Sequence, residues 1–553
     1  MTSGPVKHEK GHSMKKTAAM ILTAALVCTS VLGGCQKQQD SKANQPSDEI
    51  VVAANSETGG LDPAGMIALT YLSYSVSALD ELLTYDENGE IEYRAAESYE
   101  KNEDSTKWTF HLRKEAVWSD GTSVTAADFL NTITRSLDPK SGNGYANYLY
   151  PIKNAEAIYN GEAELSSLGV ETPDDYTLIF ELEKPCVYFL DLLRLPVYTP
   201  SCVKYADGAD TGWDKNPDTS VANGPFYLAE YVPEQYFVLK KNTKYWNADQ
   251  VKLSQITYRF FDDQQSMANA YETGEVDVAP SLQSSVMELY EGKEDLVVTD
   301  NIATRYIYPN LNVKPLDDVR VRKALNLAVN REELCKIVGE DTEPTVNFIA
   351  RHMKDKSTGE YYVDEAPAPF EENLKEAKAL LAEAGYPNGE GFPTLTYNYP
   401  SLEMDSDTAQ VLQEQLRKNL NINIELNAQE LQVNYSERRA GNFELCRMNW
   451  TADFADPYTY LSMLLSNSTY NCSGIRDDRY DAIVAQSDIE TDSVKRSALI
   501  HEAEQLAVGE EFYIIPLFSM KSCNLIRPSI QGITRNPATG ALEYRYAELD
   551  VQE

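Results

Sequence analysis

RMNWTADFADP, Arg447 to Pro457, is the segment around which the rest of this chain is arranged. Its approach, Phe443 to Trp450, is rich in apolar and aromatic residues and reads as a strand, whose side chains point alternately to opposite faces. Arg447, Asn449, Thr451 and Asp453 therefore share a face. At ~3.3 Å per residue, Arg447 and Asp453 are about 20 Å apart on a straight strand, less where the chain bends near Asp453. That distance is too great for the two charges to neutralise each other, but it suits the two ends of an extended dipolar molecule such as a short peptide. The competing reading is local: Asp456 and Pro457 make a good N-cap and first helical position for a helix from Tyr458 to Leu465, and Arg447 pairs with any nearby carboxylate. Capping accounts for Asp456 and leaves Asp453 without a task.

Outward from this segment the periodicity alternates between helix and strand. Upstream stand a helix from Ala409 to Leu420 and a strand from Ile422 to Leu426. The spacing of Leu374, Ala377, Leu380 and Leu381 predicts a helix over Glu371 to Ala384, stopped by Gly385 and Pro387. Asp317 and Asp318 open another that runs to Ala328, with acids where the helix dipole favours them. Ile256 to Phe260, Gln264 to Thr273 and Val276 to Val278 read as strand, helix, strand. Further strands are expected at Glu49 to Ala54, Gln235 to Lys240, Arg305 to Asn312 and Phe512 to Phe518. Trp108 to Leu112 alternates as a strand, Trp118 to Thr122 makes a turn, and Thr125 with Asp128 opens a helix by a capping-box pattern. Such alternation favours α/β lobes with mixed sheets, and 553 residues suffice for more than one core. No repeat of 20 to 50 residues is present.

Composition excludes some functions. Lys and Arg total 49 against 86 Asp and Glu, a formal charge of −37, which argues against a nucleic-acid partner. The acidity suits a solvated extracellular surface. Lys15-Lys16, the apolar run Ala18 to Leu32, and Gly33-Gly34-Cys35 have the layout of a secretory signal, with Met14 the natural start. Cys35 straight after Leu32-Gly33-Gly34 resembles the bacterial lipobox, so a diacylglycerol on Cys35 is expected to hold the mature chain on the outer face of the cell membrane. Gln36 to Ser47 is polar and reads as a flexible tether. His8-Glu9-Lys10-Gly11-His12 matches a zinc-protease pattern, but it contains a glycine, lies ahead of the signal and is lost with it. Cys186, Cys202, Cys335, Cys446, Cys472 and Cys523 remain, and their spacing fixes no disulfide pairing.

The central segment resembles the ligand-anchoring strand and loop of the oligopeptide-binding proteins that serve ABC importers, within the family 5 solute-binding proteins. Trp108 to Phe129, Asn223-Gly224-Pro225-Phe226 and Asn242 to Trp246 are similar to further motifs of that family, and the resemblance covers nearly the whole mature chain. It implies a class II periplasmic-binding-protein-like α/β fold, with two large mixed-sheet lobes joined by a hinge and an extra third domain of the cluster C type. The implied divisions are 1–34 extension and signal, 35–48 lipidated cysteine and tether, 49–79, 205–302 and 521–553 lobe I, 80–204 the extra domain, and 303–520 lobe II. By the same resemblance Asp453 accepts a peptide's α-amine and Arg447 its carboxylate. Leu69 and Asn449 lie along the peptide backbone, and Thr451 and Tyr145 line the site; Trp450 is either a pocket wall or core. The expected partners are short peptides and the permease of an ABC importer, with the chain a monomer that needs no cofactor or metal. Three departures stand out. Thr451 occupies the place of a cysteine whose expected partner region near Ala303 also lacks one, Asn449 replaces a glycine, and Asp405 stands near where the family has a histidine.

No G-x-S-x-G, P-loop, G-x-G-x-x-G or credible metal cluster is present, and His111, His352 and His501 lie in different regions, with His501 expected at the surface. The alternatives are a receptor for another solute, such as a dipeptide, metal chelate or sugar, an extracellular hydrolase, and a structural or adhesive surface protein.

Overall fold

Glu49–Ala54 (β1) forms the first strand, as its β-branched run predicts, and the sheet it joins organises everything that follows. The computed structural model describes residues 48–54, 61–65, 72–86, 90–141, 143–206, 212–282, 284–339, 341–536 and 540–550. The lipobox with Cys35, the His8 to His12 pattern, the tether and Leu69 lie outside the described residues.

The further strands of this sheet are β2 (Phe226–Val232), β3 (Tyr236–Lys241), β4 (Gln255–Phe260), β5 (Val278–Ala279), β6 (Leu296–Pro309), β7 (Thr342–Pro344), β8 (Leu395–Pro400), β9 (Ile424–Gln429), β10 (Leu445–Thr451) and β11 (Ile515–Ile526). Their order is β9-β8-β10-β6-β11-β5-β1-β4-β3-β2, with β7 alongside β11. β1 is parallel to β4 and β5, and β8 to β9 and β10, while the remaining pairings are antiparallel. β6 and β11 are long enough to serve both halves. Leu296 to Asp300 pairs with Leu525 to Lys521, and after a register shift Thr304 to Ile307 pairs with Ser519 to Ile515. A separate four-stranded antiparallel sheet, Ala96–Lys101, Lys107–Leu112, Thr177–Glu181 and Val170–Asp174, packs Trp108 and Phe110 against Phe180 and Phe189.

Helices fill the connections. α1 (Ala126–Ser136) starts with the expected capping box of Thr125 and Asp128, and α2 (Gln264–Thr273) has the predicted bounds and an Asp263 cap. α3 (Val319–Ala328) is capped by Asp318, and α4 (Leu374–Glu383) by Asn373. α5 begins at Glu403, not Ala409, and runs to Leu420. Its first turn is acidic, which the dipole favours, and Asp405 and Thr408 are buried, so tertiary contacts extend the helix past its apolar pattern. β11 starts at Ile515 because Phe512 has φ +49, and it continues well past Phe518. The helix expected from Tyr458 to Leu465 is a single α turn, α6 (Tyr458–Leu461), followed by a 3₁₀ turn. His501, on α7 (Ser493–Glu504), is not at the surface: it is half-buried 5.2 Å from the Tyr362 ring, and burial lowers its pKa. All six described cysteines are free, and Ala303 faces Thr451 directly across β6 and β10, so this pair of positions carries no disulfide.

Candidate ligand-binding site

β10 presents Arg447, Asn449 and Thr451 on one face, as the strand period requires, and β6 sets Ile307, Arg305 and Ala303 opposite them. β10 is paired with β6 along its whole length, whereas β8 reaches only Leu445 and Cys446. Among the described residues no strand pairs the second edge of Arg447 to Thr451. Its backbone donors and acceptors on that side are therefore positioned to take an added strand.

Past Thr451 the chain turns inward and Asp453 is buried, 6% exposed. Its carboxylate does not cap its own backbone; Oδ2 accepts a hydrogen bond from the hydroxyl of Tyr148, a residue on a distant segment. No cation lies within ion-pair distance among the described residues. Burial raises its pKa from 3.8 to about 7, and the Tyr148 hydrogen bond offsets only part of that. Tyr145, one 3₁₀ turn earlier, packs at 5.7 Å on Tyr148, and its own hydroxyl is pushed up by burial and by the Asp453 charge.

A cavity of about 780 Å³ is walled by Tyr148, the hydrogen-bond partner of this carboxylate, and by Trp450, Phe454, Tyr458 and Tyr470 among others. Trp450 lines this cavity and also packs against the hydrophobic core behind it, with its Nε1 donating to Thr459 and its ring 4.9 Å from Tyr470. Tyr188 stacks on both Phe454 and Tyr458, and its hydroxyl donates to Asp488 at 2.5 Å. Asp456 is explained locally: it accepts the Tyr458 N–H at 2.9 Å and grips Arg496 with both oxygens at 2.8 Å.

At the other end of β10, Arg447 is 8% exposed, and its Nε donates to Asp405 at 2.9 Å. The same Asp405 oxygen accepts from Nη1 of Arg305. Burial, then the neighbouring Arg447, lower the Arg305 pKa to about 10. Sequence reasoning missed Tyr148 and Arg305, and it noted Asp405 as a departure from a family histidine without linking it to Arg447. Tyr148 stands three residues after Tyr145, the spacing that shares a face in a 3₁₀ turn, and was findable; the other two are joined only by strand pairing and helix packing.

The family model described as bacterial extracellular solute-binding proteins, family 5 Middle, matches residues 90–472. The chain belongs to that family. It is a transport binding protein rather than an enzyme, with a multidomain class II periplasmic-binding-protein-like fold, and its family is extracytoplasmic. The periplasmic oligopeptide-binding protein OppA of Escherichia coli is 31% identical over 491 residues, covering 87% of this chain and 88% of that protein. The probable deoxycholate-binding periplasmic protein YgiS of the same organism is 32% identical over 499 residues, covering 89% and 91%. Among solved structures, a periplasmic oligopeptide-binding protein of Borrelia burgdorferi superposes with a TM-score of 0.78 at 30% identity, covering 91% of this chain and 99% of that one. Family 5 members therefore share this architecture over nearly the entire chain.

Proposed function

We propose that this family 5 protein is a lipid-anchored receptor that captures short peptides by their free amino terminus and delivers them to the permease of an ABC importer. One observation carries the reading: Asp453 is a buried carboxylate with no cationic partner among the described residues, its Tyr148 partner lines an aromatic cavity, and it follows a strand with an open edge. A peptide ammonium supplies the missing counter-charge, and a charge-assisted bond there contributes about 1.5–3 kcal/mol. The open edge of Arg447 to Thr451 binds peptide backbone whatever its side chains, with Asn449 and Thr451 along it and Tyr145 and Trp450 beside it, and by the family resemblance Leu69 adds backbone against the peptide. Lobe I (49–79, 205–302, 521–553), the extra domain (80–204) and lobe II (303–520) close over the ligand about the β6 and β11 crossover. Cys35 carries the lipid and residues 36–48 the tether.

Similar proteins are named for different solutes, one for oligopeptides and one as a probable deoxycholate binder. Deoxycholate is an anion with no ammonium, so Asp453 opposes it. Native mass spectrometry of the protein equilibrated with a mixture of tri- to hexapeptides and deoxycholate tests the reading. Retention of intact peptides is expected. Retention of deoxycholate alone contradicts it, and peptide fragments in the mixture revive the hydrolase.

A further inference from the structure

We propose that Asp405 is a specificity-determining residue, a built-in carboxylate that occupies Arg447 and makes the receptor indifferent to whether a peptide's C-terminus is charged. The inference rests on the peptide-receptor reading above. Asp405 lies in the first turn of α5, only 1% exposed, and one of its oxygens takes Nε of Arg447 and Nη1 of Arg305. It is the one carboxylate within ion-pair distance of either arginine among the described residues. The second amino group of Arg305 meets only the sulfurs of Met404 at 3.4 Å and Met520 at 3.9 Å, which are weak acceptors. Both guanidiniums are thus tied to a single anion placed where a ligand carboxylate would sit.

A peptide running along the open edge of β10 from Asp453 brings its C-terminus to this cluster. A terminal carboxylate on Arg447 must lie close to Asp405, and two carboxylates at short range repel. The favourable part is therefore largely cancelled. Beyond the cluster, Met404 also lines a second cavity of about 1080 Å³. Glu403 and Asp407 stand in that wall, and of its two lysines, Lys336 and Lys521, the latter is paired with Glu343 at 2.8 Å. With Glu288, Glu291, Glu332, Glu403 and Asp407 against two lysines, that wall is acidic on balance and disfavours a free carboxylate.

The test is calorimetric titration of a free-amino hexapeptide as its C-terminal acid and as its C-terminal amide, against the wild type, Asp405→Asn and Arg447→Gln. The wild type is expected to bind the two forms within about threefold of each other. Asp405→Asn is expected to bind the acid about tenfold more tightly than the amide, because Arg447 is released for it. Arg447→Gln is expected to leave the two forms equal. A tenfold preference of the wild type for the acid overturns the proposal, as does an Asp405→Asn ratio unchanged from wild type. Should Asp405→Asn fail to fold by circular dichroism, Arg447→Gln decides, since a loss confined to the acid form overturns the proposal. If the wild type binds neither form, the peptide-receptor reading and this inference fall together.

Discussion

Asp453 is held in the folded protein in a form that water would not choose. Its carboxyl titrates at about 7 rather than 3.8 because burial disfavours the anion, so between those values the folded state holds a proton that the unfolded chain releases. The sign follows: this residue costs stability most fully above pH 7, and the cost fades as pH falls toward 4. Asp453→Asn, which keeps an oxygen for the Tyr148 hydroxyl, is therefore expected to stabilise the ligand-free protein at pH 8 by up to about 4 kcal/mol. The gain should vanish near pH 4, as thermal unfolding at the two pH values will show. Ligand binding has the opposite dependence. An ammonium needs the anion, so the Kd for free-amino peptides should weaken about tenfold per pH unit below 7, measured by titration from pH 5 to 8. That Asp453 has a role apart from capping was legible in the sequence, because Asp456 already accounted for the cap. That its partner is Tyr148 was not, since 305 residues separate them.

At the scale of elements, β10 matters for the edge it leaves open. If a ligand adds there as a strand, replacing alternate ligand N–H groups by N–CH₃ removes main-chain hydrogen bonds while changing its side chains does not. Each methylation at a bonded position is expected to weaken binding by about two- to tenfold, with little effect at the positions between, as competition titration with a methyl scan will show. The turn after β10 is pinned by Asp456 and Arg496, both largely buried. Asp456→Ala leaves that guanidinium unpaired and should destabilise the protein by about 3–5 kcal/mol in denaturant titration, whereas removing the cap alone costs ~1. Strands and helices with clean periodicity, such as β1, β4 and α2, were legible from the sequence. The start of α5 was not: Glu403, Asp405 and Asp407 give no apolar stripe, and their helix is extended by packing and by the arginines that Asp405 receives.

For the whole molecule, the alternation of helix and strand announced mixed α/β lobes, but the pairing of β6 with β11 that joins their strands into one sheet depends on contacts more than 200 residues apart in sequence. Residues 148–191 also reach across to the later part of the chain. Tyr148 meets Asp453, Tyr188 and Lys184 meet Asp488, and Lys356 meets Asp191. If the lobes close over a ligand as proposed, these contacts hold the closed form together, and Tyr188→Ala removes both a stacked ring and a hydrogen bond from them. The variant is expected to show a larger ligand-free radius of gyration by small-angle scattering and about tenfold weaker peptide binding, because less of the protein is binding-competent. The account as a whole turns on whether a peptide's own ammonium completes Asp453. The direct measurement is the Kd of one peptide with a free and with an acetylated amino terminus, for wild type and Asp453→Asn at pH 8. The wild type should prefer the free amine by about tenfold to a hundredfold, and the variant should show no preference. Equal affinity of the wild type for the two forms would contradict the account.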